Sequence, residues 1–141
     1  MNIDNILPHR KPFLFVDEIV EVQYMKYSKG IKYVNVNEFW VEGHFPGNPI
    51  FPGVLLLETM AQVGGLVFVD STGNMPEKKF AYLSKVDRFK ILQKVIPGDE
   101  IIVEAVFVDS FMQFAKVKAK ANVNGKKLAE AEITYTFLDN L

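Results

Sequence analysis

Residues 52 to 69 hold the run that most limits what this chain can fold into. Set on a helix at about 100° per residue, its leucines, valines, Met60, Ala61 and Phe68 spread over almost the whole circumference. Only Glu58, Gln62 and Thr59 fall together, as one polar wedge. A helix apolar nearly all round is buried rather than laid on a surface. A membrane span would need roughly 20 unbroken apolar residues, and Glu58 and Gln62 interrupt this run. The rest of the chain therefore has to wall in one long helix, running from about Pro52 to Val69. Within it Gly64-Gly65 weakens helix propensity, and close backbone contact with the wall is the expected return.

The wall reads as strands. Residues 13 to 24 and 29 to 36 are rich in Val, Ile, Phe and Tyr and read as two strands joined near Ser28-Lys29-Gly30. Residues 80 to 87, 99 to 109, 111 to 121 and 128 to 138 read as four more. In the fifth, Ala115, Val117, Ala119 and Ala121 share one face and Lys116, Lys118 and Lys120 the other. Asn124-Gly125 marks a hairpin between the last two strands. A plain two-residue loop would set Lys118 against Ala131 and Lys116 against Ile133. A three-residue loop or a bulge at Gly125 instead sets Lys118 against Glu132 and Lys120 against Glu130 and joins the apolar faces. A one-residue slip inverts every side chain, so the bulged register is expected. The class is α+β, an antiparallel six-stranded sheet wrapped around one long central helix, and 141 residues fit a single domain, 1–141.

Composition removes several chemistries. The chain has no cysteine, which excludes disulfides, thiolate metal sites and cysteine nucleophiles. Its two histidines, His9 and His44, are too few for a histidine-rich metal cluster, and no cofactor motif accompanies them. Sixteen basic against seventeen acidic residues leave no broad basic face for nucleic acid. Met1-Asn2-Ile3-Asp4-Asn5 lacks a basic region followed by an apolar run, so no signal peptide is read and the cytoplasm is the expected compartment.

The chemistry concentrates just ahead of the helix. Gly43-His44-Phe45-Pro46-Gly47-Asn48-Pro49-Ile50-Phe51-Pro52-Gly53 carries three prolines and three glycines among its residues. That describes a rigid, irregular loop. It sets His44 before a helix N-terminus, whose free N–H groups can bond an oxygen that gains negative charge. Glu58 in an apolar helix has to pair, titrate or work. A satisfied structural glutamate is one reading. The other joins His44 as base, Glu58 as acid and a backbone N–H as oxyanion donor, a set suited to proton abstraction beside a carbonyl with acid-assisted loss of a leaving group.

Three blocks of the chain carry a resemblance. Leu7-Pro8-His9-Arg10-Lys11-Pro12-Phe13-Leu14-Phe15-Val16-Asp17 is the first. Gly43-His44-Phe45-Pro46-Gly47 with Pro52-Gly53-Val54-Leu55, Glu58 and Met60-Ala61-Gln62 is the second, and Tyr82-Leu83 through Arg88-Phe89-Lys90 to Pro97-Gly98-Asp99 is the third. In this order they resemble the bacterial 3-hydroxyacyl-[acyl-carrier-protein] dehydratases of the FabZ type. The resemblance implies a hotdog fold and reversible loss of water from a (3R)-hydroxyacyl thioester to give the trans-2-enoyl thioester. It implies dimers with sites at the subunit interface, commonly a trimer of dimers, and acyl carrier protein as partner. It implies His44 as catalytic histidine, Glu58 as catalytic carboxylate given to each site by the other subunit, and the Gly53 N–H as donor to the thioester oxygen. Enzymes of the related FabA type, which also isomerise the product, carry aspartate where this chain has Glu58, so glutamate implies dehydration alone. No cofactor and no metal are implied.

Other residues have two readings each. Gln62, one turn after Glu58, either orients its carboxyl group or fills the wedge. Phe51, Tyr82 and Phe89 either line an acyl tunnel or pack the core. Lys78, Lys79, Lys85, Arg88, Lys90 and Lys94 either form a solvated face or dock an acidic carrier protein. For His9 a turn or subunit contact is the plainer reading beside a catalytic one. On the same fold an acyl thioesterase, a dehydratase of a specialised lipid pathway, or a non-catalytic acyl-thioester-binding protein are the alternatives.

Overall fold

A computed structural model describes residues 2–75 and 80–138. A one-turn helix α1 (Ile3–Ile6) leads into an extended strap, then strands β1 (Glu18–Gln23) and β2 (Tyr27–Tyr33). After a looped segment come the central helix α2 (Gly53–Gly65) and a 3-10 turn (Leu66–Phe68). Four strands complete the chain: β3 (Phe80–Ile91), β4 (Glu100–Phe111), β5 (Phe114–Val123) and β6 (Lys126–Leu138). They form one antiparallel sheet in the order β1-β2-β4-β5-β6-β3.

The sheet encloses α2 as its burial pattern requires. Leu56, Met60 and Val63 of α2 are at most 2% exposed, as are Val103, Ala119, Ala121 and Ile133 on the facing strands. Each such Leu, Ile, Val or Met contributes about 1.5–3 kcal/mol by leaving water. Along β5, Ala115, Val117, Ala119 and Ala121 point inward, while the intervening lysines are partly or fully exposed. Small residues on that face let the helix approach. Gly64 carries the closest approach: a Cβ there would lie 2.4 Å from the Tyr135 hydroxyl, whereas one on Gly65 would meet nothing within 4 Å. The glycine pair thus divides, with only Gly64 in close contact.

Four local expectations change. Ser28-Lys29-Gly30 is not a turn but the middle of β2, because a Cβ on Gly30 would stand 2.9 Å from Val63 Cγ2 of the helix. The β1–β2 turn falls instead at Met25, which takes φ 58°. Residues 13 to 17 are not strand, since Gln62 pairs with the backbone of Phe13 and Phe15 in place of a neighbouring strand. The helix is shorter than read, its last turn tightening to 3-10 geometry after Gly65. The hairpin keeps the expected register, Lys118 opposite Glu132 and Lys120 opposite Glu130, but by another route. Asn124 and Gly125 both take positive φ in a two-residue loop, and the irregularity sits between Ala121 and Asn122, where Leu128 is the extra residue of β6. The Leu92 N–H takes up the Leu128 carbonyl at 2.7 Å, so the bulge leaves that acceptor bonded.

Candidate active site

The loop that carries His44 is built from turns, and each is bonded. The His44 N–H donates to the Trp40 carbonyl at 3.0 Å, and the Asn48 N–H to that of Phe45 at 2.9 Å. Phe45 and Gly47 take φ of 55° and 83°, which lets the chain double back within this short span. Trp40 anchors the loop, 4% exposed, edge-on to Phe51 at 5.4 Å, with its indole N–H on Glu38. Glu38 also receives Lys32, an amine from β2 that is almost wholly buried. Sequence reading missed this clamp; the apolar context of Trp40 was visible, but its ion-paired support comes from a separate strand.

The His44 ring is fixed by its own loop. Nδ1 stands 2.6 Å from the Ile50 carbonyl, which can only accept, so Nδ1 carries a proton and in the neutral ring the lone pair lies on Nε2. A cavity of about 420 Å3 opens beside it, lined also by Phe51, Gly53, Leu56, Ile91 and Lys94. Gly53 is the first residue of α2, and Pro52 ahead of it provides no side-chain cap. The first N–H groups of a helix have no intrahelical acceptor, so the Gly53 N–H is available to an oxygen in that cavity. A Cβ on Gly53 would come within 2.9 Å of Ile91 Cδ1.

Glu58 opens elsewhere. Its cavity, about 320 Å3, is lined by His9, Gln62, Tyr82 and Tyr135 among others and contains neither His44 nor Gly53. Burial pushes the Glu58 carboxyl above its ordinary range, and the Gln62 hydrogen bond pulls the other way without overturning it. Gln62 donates Nε2 to Glu58 Oε2 at 2.9 Å and to the Phe13 carbonyl at 2.8 Å, while its Oε1 accepts from the Phe15 N–H at 2.8 Å. The amide is fully engaged, and it ties the carboxyl to the N-terminal strap. Thr59 points away from this role, its hydroxyl turned back onto the Leu55 carbonyl at 2.7 Å. The Tyr135 hydroxyl, pushed well up by burial, donates to the Ala61 carbonyl at 2.6 Å.

The remaining candidates separate. Phe51 lines the His44 cavity and Tyr82 the Glu58 cavity, whereas Phe89 lines neither and packs partly buried against the core. Lys85, Arg88 and Lys90 lie on β3, Lys85 and Arg88 mostly exposed, 3.5 Å from Asp87 and 3.9 Å from Glu132 respectively. Lys94 alone of the basic set reaches a cavity of the site; Lys78 and Lys79 fall outside the described residues. A cavity larger than either, about 510 Å3 between α1 and residues 69 to 74, holds none of these groups. Among the described residues no helix is long and apolar enough to cross a membrane.

One central helix wrapped by a six-stranded antiparallel sheet is the architecture of the hotdog class. The FabA-like domain family matches residues 7–132. The chain is 42% identical to the 3-hydroxyacyl-[acyl-carrier-protein] dehydratase FabZ of Geotalea uraniireducens, covering 97% of this chain and 94% of that one. It is 43% identical to the FabZ of Vibrio campbellii, covering 93% and 87%. In fold it is similar to a chain of the dehydratase heterocomplex ApeI:P from Xenorhabdus doucetiae, at TM-score 0.79 and 14% identity over 99% of this chain and 93% of that one. The chain belongs to the FabA-like family and, within it, to the FabZ-type dehydratases.

Proposed function

We propose that this chain catalyses the reversible dehydration of (3R)-hydroxyacyl-[acyl-carrier-protein] to the trans-2-enoyl form in fatty acid biosynthesis, acting in the cytoplasm as one hotdog domain, 1–141. The observation that carries the assignment of roles is the state of the two side chains: His44 with Nδ1 bonded and Nε2 free, Glu58 with burial favouring its protonated form. His44 Nε2 takes the C2 proton. Charge gathers on the thioester oxygen, where the Gly53 N–H bonds it. Protonated Glu58 gives its proton to the departing hydroxyl, which leaves as water; without that proton hydroxide is a poor leaving group. Gln62 orients the carboxyl.

Within one chain the two side chains open into different cavities, which supports a site completed by a second copy. Two features support a second copy. β3 is an edge strand, paired among the described residues only with β6, and it lines the Glu58 cavity through Ala81, Tyr82 and Leu83. Around the His44 cavity Phe45, Val54 and Leu92 are each more than half exposed, an apolar rim that a partner would cover. Three such dimers assemble into the hexamer. Acyl carrier protein docks on Lys85, Arg88, Lys90 and Lys94, and Lys94 places positive charge where the acyl arm enters the His44 cavity. Phe51 and Tyr82 bound the acyl tunnel.

The test is direct. With a 3-hydroxyacyl thioester, enoyl absorbance should rise with the intact chain. It should fall by about 10²–10⁴-fold in His44→Ala and in Glu58→Ala, with circular dichroism unchanged. Near-parental turnover in either variant would remove that residue from the mechanism.

A further inference from the structure

Each turnover leaves Glu58 without the proton it has given away, and the carboxyl sits in a largely buried cavity. His9 is placed to return it. Its Nε2 lies 3.7 Å from Glu58 Oε2, a gap that a small rotation or one water closes. In the single chain the side chain is 30% exposed and lines the Glu58 cavity, so the imidazole is not sealed off from solvent. Its Nδ1 is buried with no hydrogen-bond partner. Of the two ring nitrogens only Nε2 faces the Glu58 carboxyl, so only Nε2 is positioned to pass it a proton. Most buried side-chain polar atoms are hydrogen-bonded, so an unpartnered Nδ1 calls for a reason.

We infer that His9 is the proton relay of this site, collecting a proton from solvent and passing it from Nε2 to the Glu58 carboxylate between turnovers. The inference rests on the dehydratase reading above and adds a step to it. The proton balance closes: imidazolium plus carboxylate gives imidazole plus carboxylic acid, and the C2 proton on His44 leaves to water. His9 acts through Glu58 and never on the substrate. The ionisable groups around it are Arg10 on its own segment, Glu58 of α2, Tyr82 of β3 and Tyr135 of β6. Burial and then Arg10 push His9 below its ordinary range, while burial pushes Glu58 above its own. Their proton affinities are thereby drawn together, which makes transfer between them easy in either direction.

The experiment compares the intact enzyme with His9→Gln, which fills the space without titrating, and with His9→Ala, which leaves room for free imidazole. Substrate is saturating, and the range is pH 6 to 9. The expected result is a kcat in both variants lower by about tenfold at pH 8 with KM unchanged, a deficit that shrinks toward pH 6 as solvent supplies protons directly. Added imidazole should restore His9→Ala and leave His9→Gln where it is. Parental kcat in His9→Gln, a loss equal at every pH, or no rescue of His9→Ala would each overturn the relay. Should His9→Ala fail to fold, the pH dependence of His9→Gln decides alone. If the intact enzyme turned over no hydroxyacyl thioester at all, the dehydratase reading itself would fail. An active parent with dead His44→Ala and Glu58→Ala but unaffected His9 variants would sink only the relay.

Discussion

At Glu58 function and stability pull in opposite directions. Burial raises the proton affinity of the carboxyl in the folded chain above its ordinary 4.5. A group raised on folding contributes stability that is fully present below its unfolded value and is lost as pH climbs through the raised one. Glu58→Gln, which stays neutral and can still accept from Gln62, should therefore melt with the parent near pH 4. It should melt higher by roughly 2–5 °C at pH 8 while being inactive. Calorimetry across that range checks it; equal melting at both ends would mean the ionised carboxylate costs the fold nothing. Much at this scale was legible in the sequence. Glu58 and Gln62 stand one turn apart, and helical spacing alone puts both on one wedge. His9 was not, because its approach to Glu58 depends on a strap that Gln62 pins across 49 residues of sequence to Phe13. No periodicity encodes such a contact.

Among the elements, α2 and β3 carry the consequences. Helix and sheet meet where Gly64 faces Tyr135, and a methyl group there would also come within 3.1 Å of Val117 Cγ2. Gly64→Ala should cost about 1–3 kcal/mol despite its better helix propensity, read as a lower denaturant midpoint. Gly65→Ala, facing open space, should gain instead. On β3 the strand departs from regular pairing between Asp87 and Lys90, where Arg88 takes φ 53° and projects from a bulge. Reversing Arg88 and Lys90 to Glu should raise KM for carrier-bound substrate and leave a short carrier-free thioester unaffected, the difference fading with salt. Equal effects on both substrates would show that the bulge supports structure. Strand identities were readable from alternation, as in β5. The misread turn at Ser28-Lys29-Gly30 shows where this fails: a glycine needed for helix clearance has the same local signature as one needed for a bend.

For the whole molecule the division of His44 and Glu58 between two cavities makes a quantitative forecast. Mixing equal amounts of inactive His44→Ala and Glu58→Ala chains, and letting subunits exchange, makes about half the dimers mixed. Each mixed dimer puts both alanines in one site and none in the other, so roughly a quarter of parental activity should return. No recovery, with exchange confirmed by mass spectrometry, would place both residues within one chain. Helical patterning showed that α2 must be buried, whereas the separation of His44 from Glu58 was implied by the resemblance alone, since it depends on how the loop and helix diverge in space.

The order β1-β2-β4-β5-β6-β3 also has a temporal side. On the ribosome β3 emerges before β4 and β5, yet among the described residues its only neighbour in the sheet is β6, the last of the six strands. Until then β3, with Phe80 and Tyr82 exposed even in the finished fold, has no strand of its own chain to pair with. Long-range pairing of this kind is slow and leaves open edges during synthesis. Lys85, Arg88 and Lys90 along that strand would then guard the nascent chain against edge-to-edge aggregation before they meet any partner.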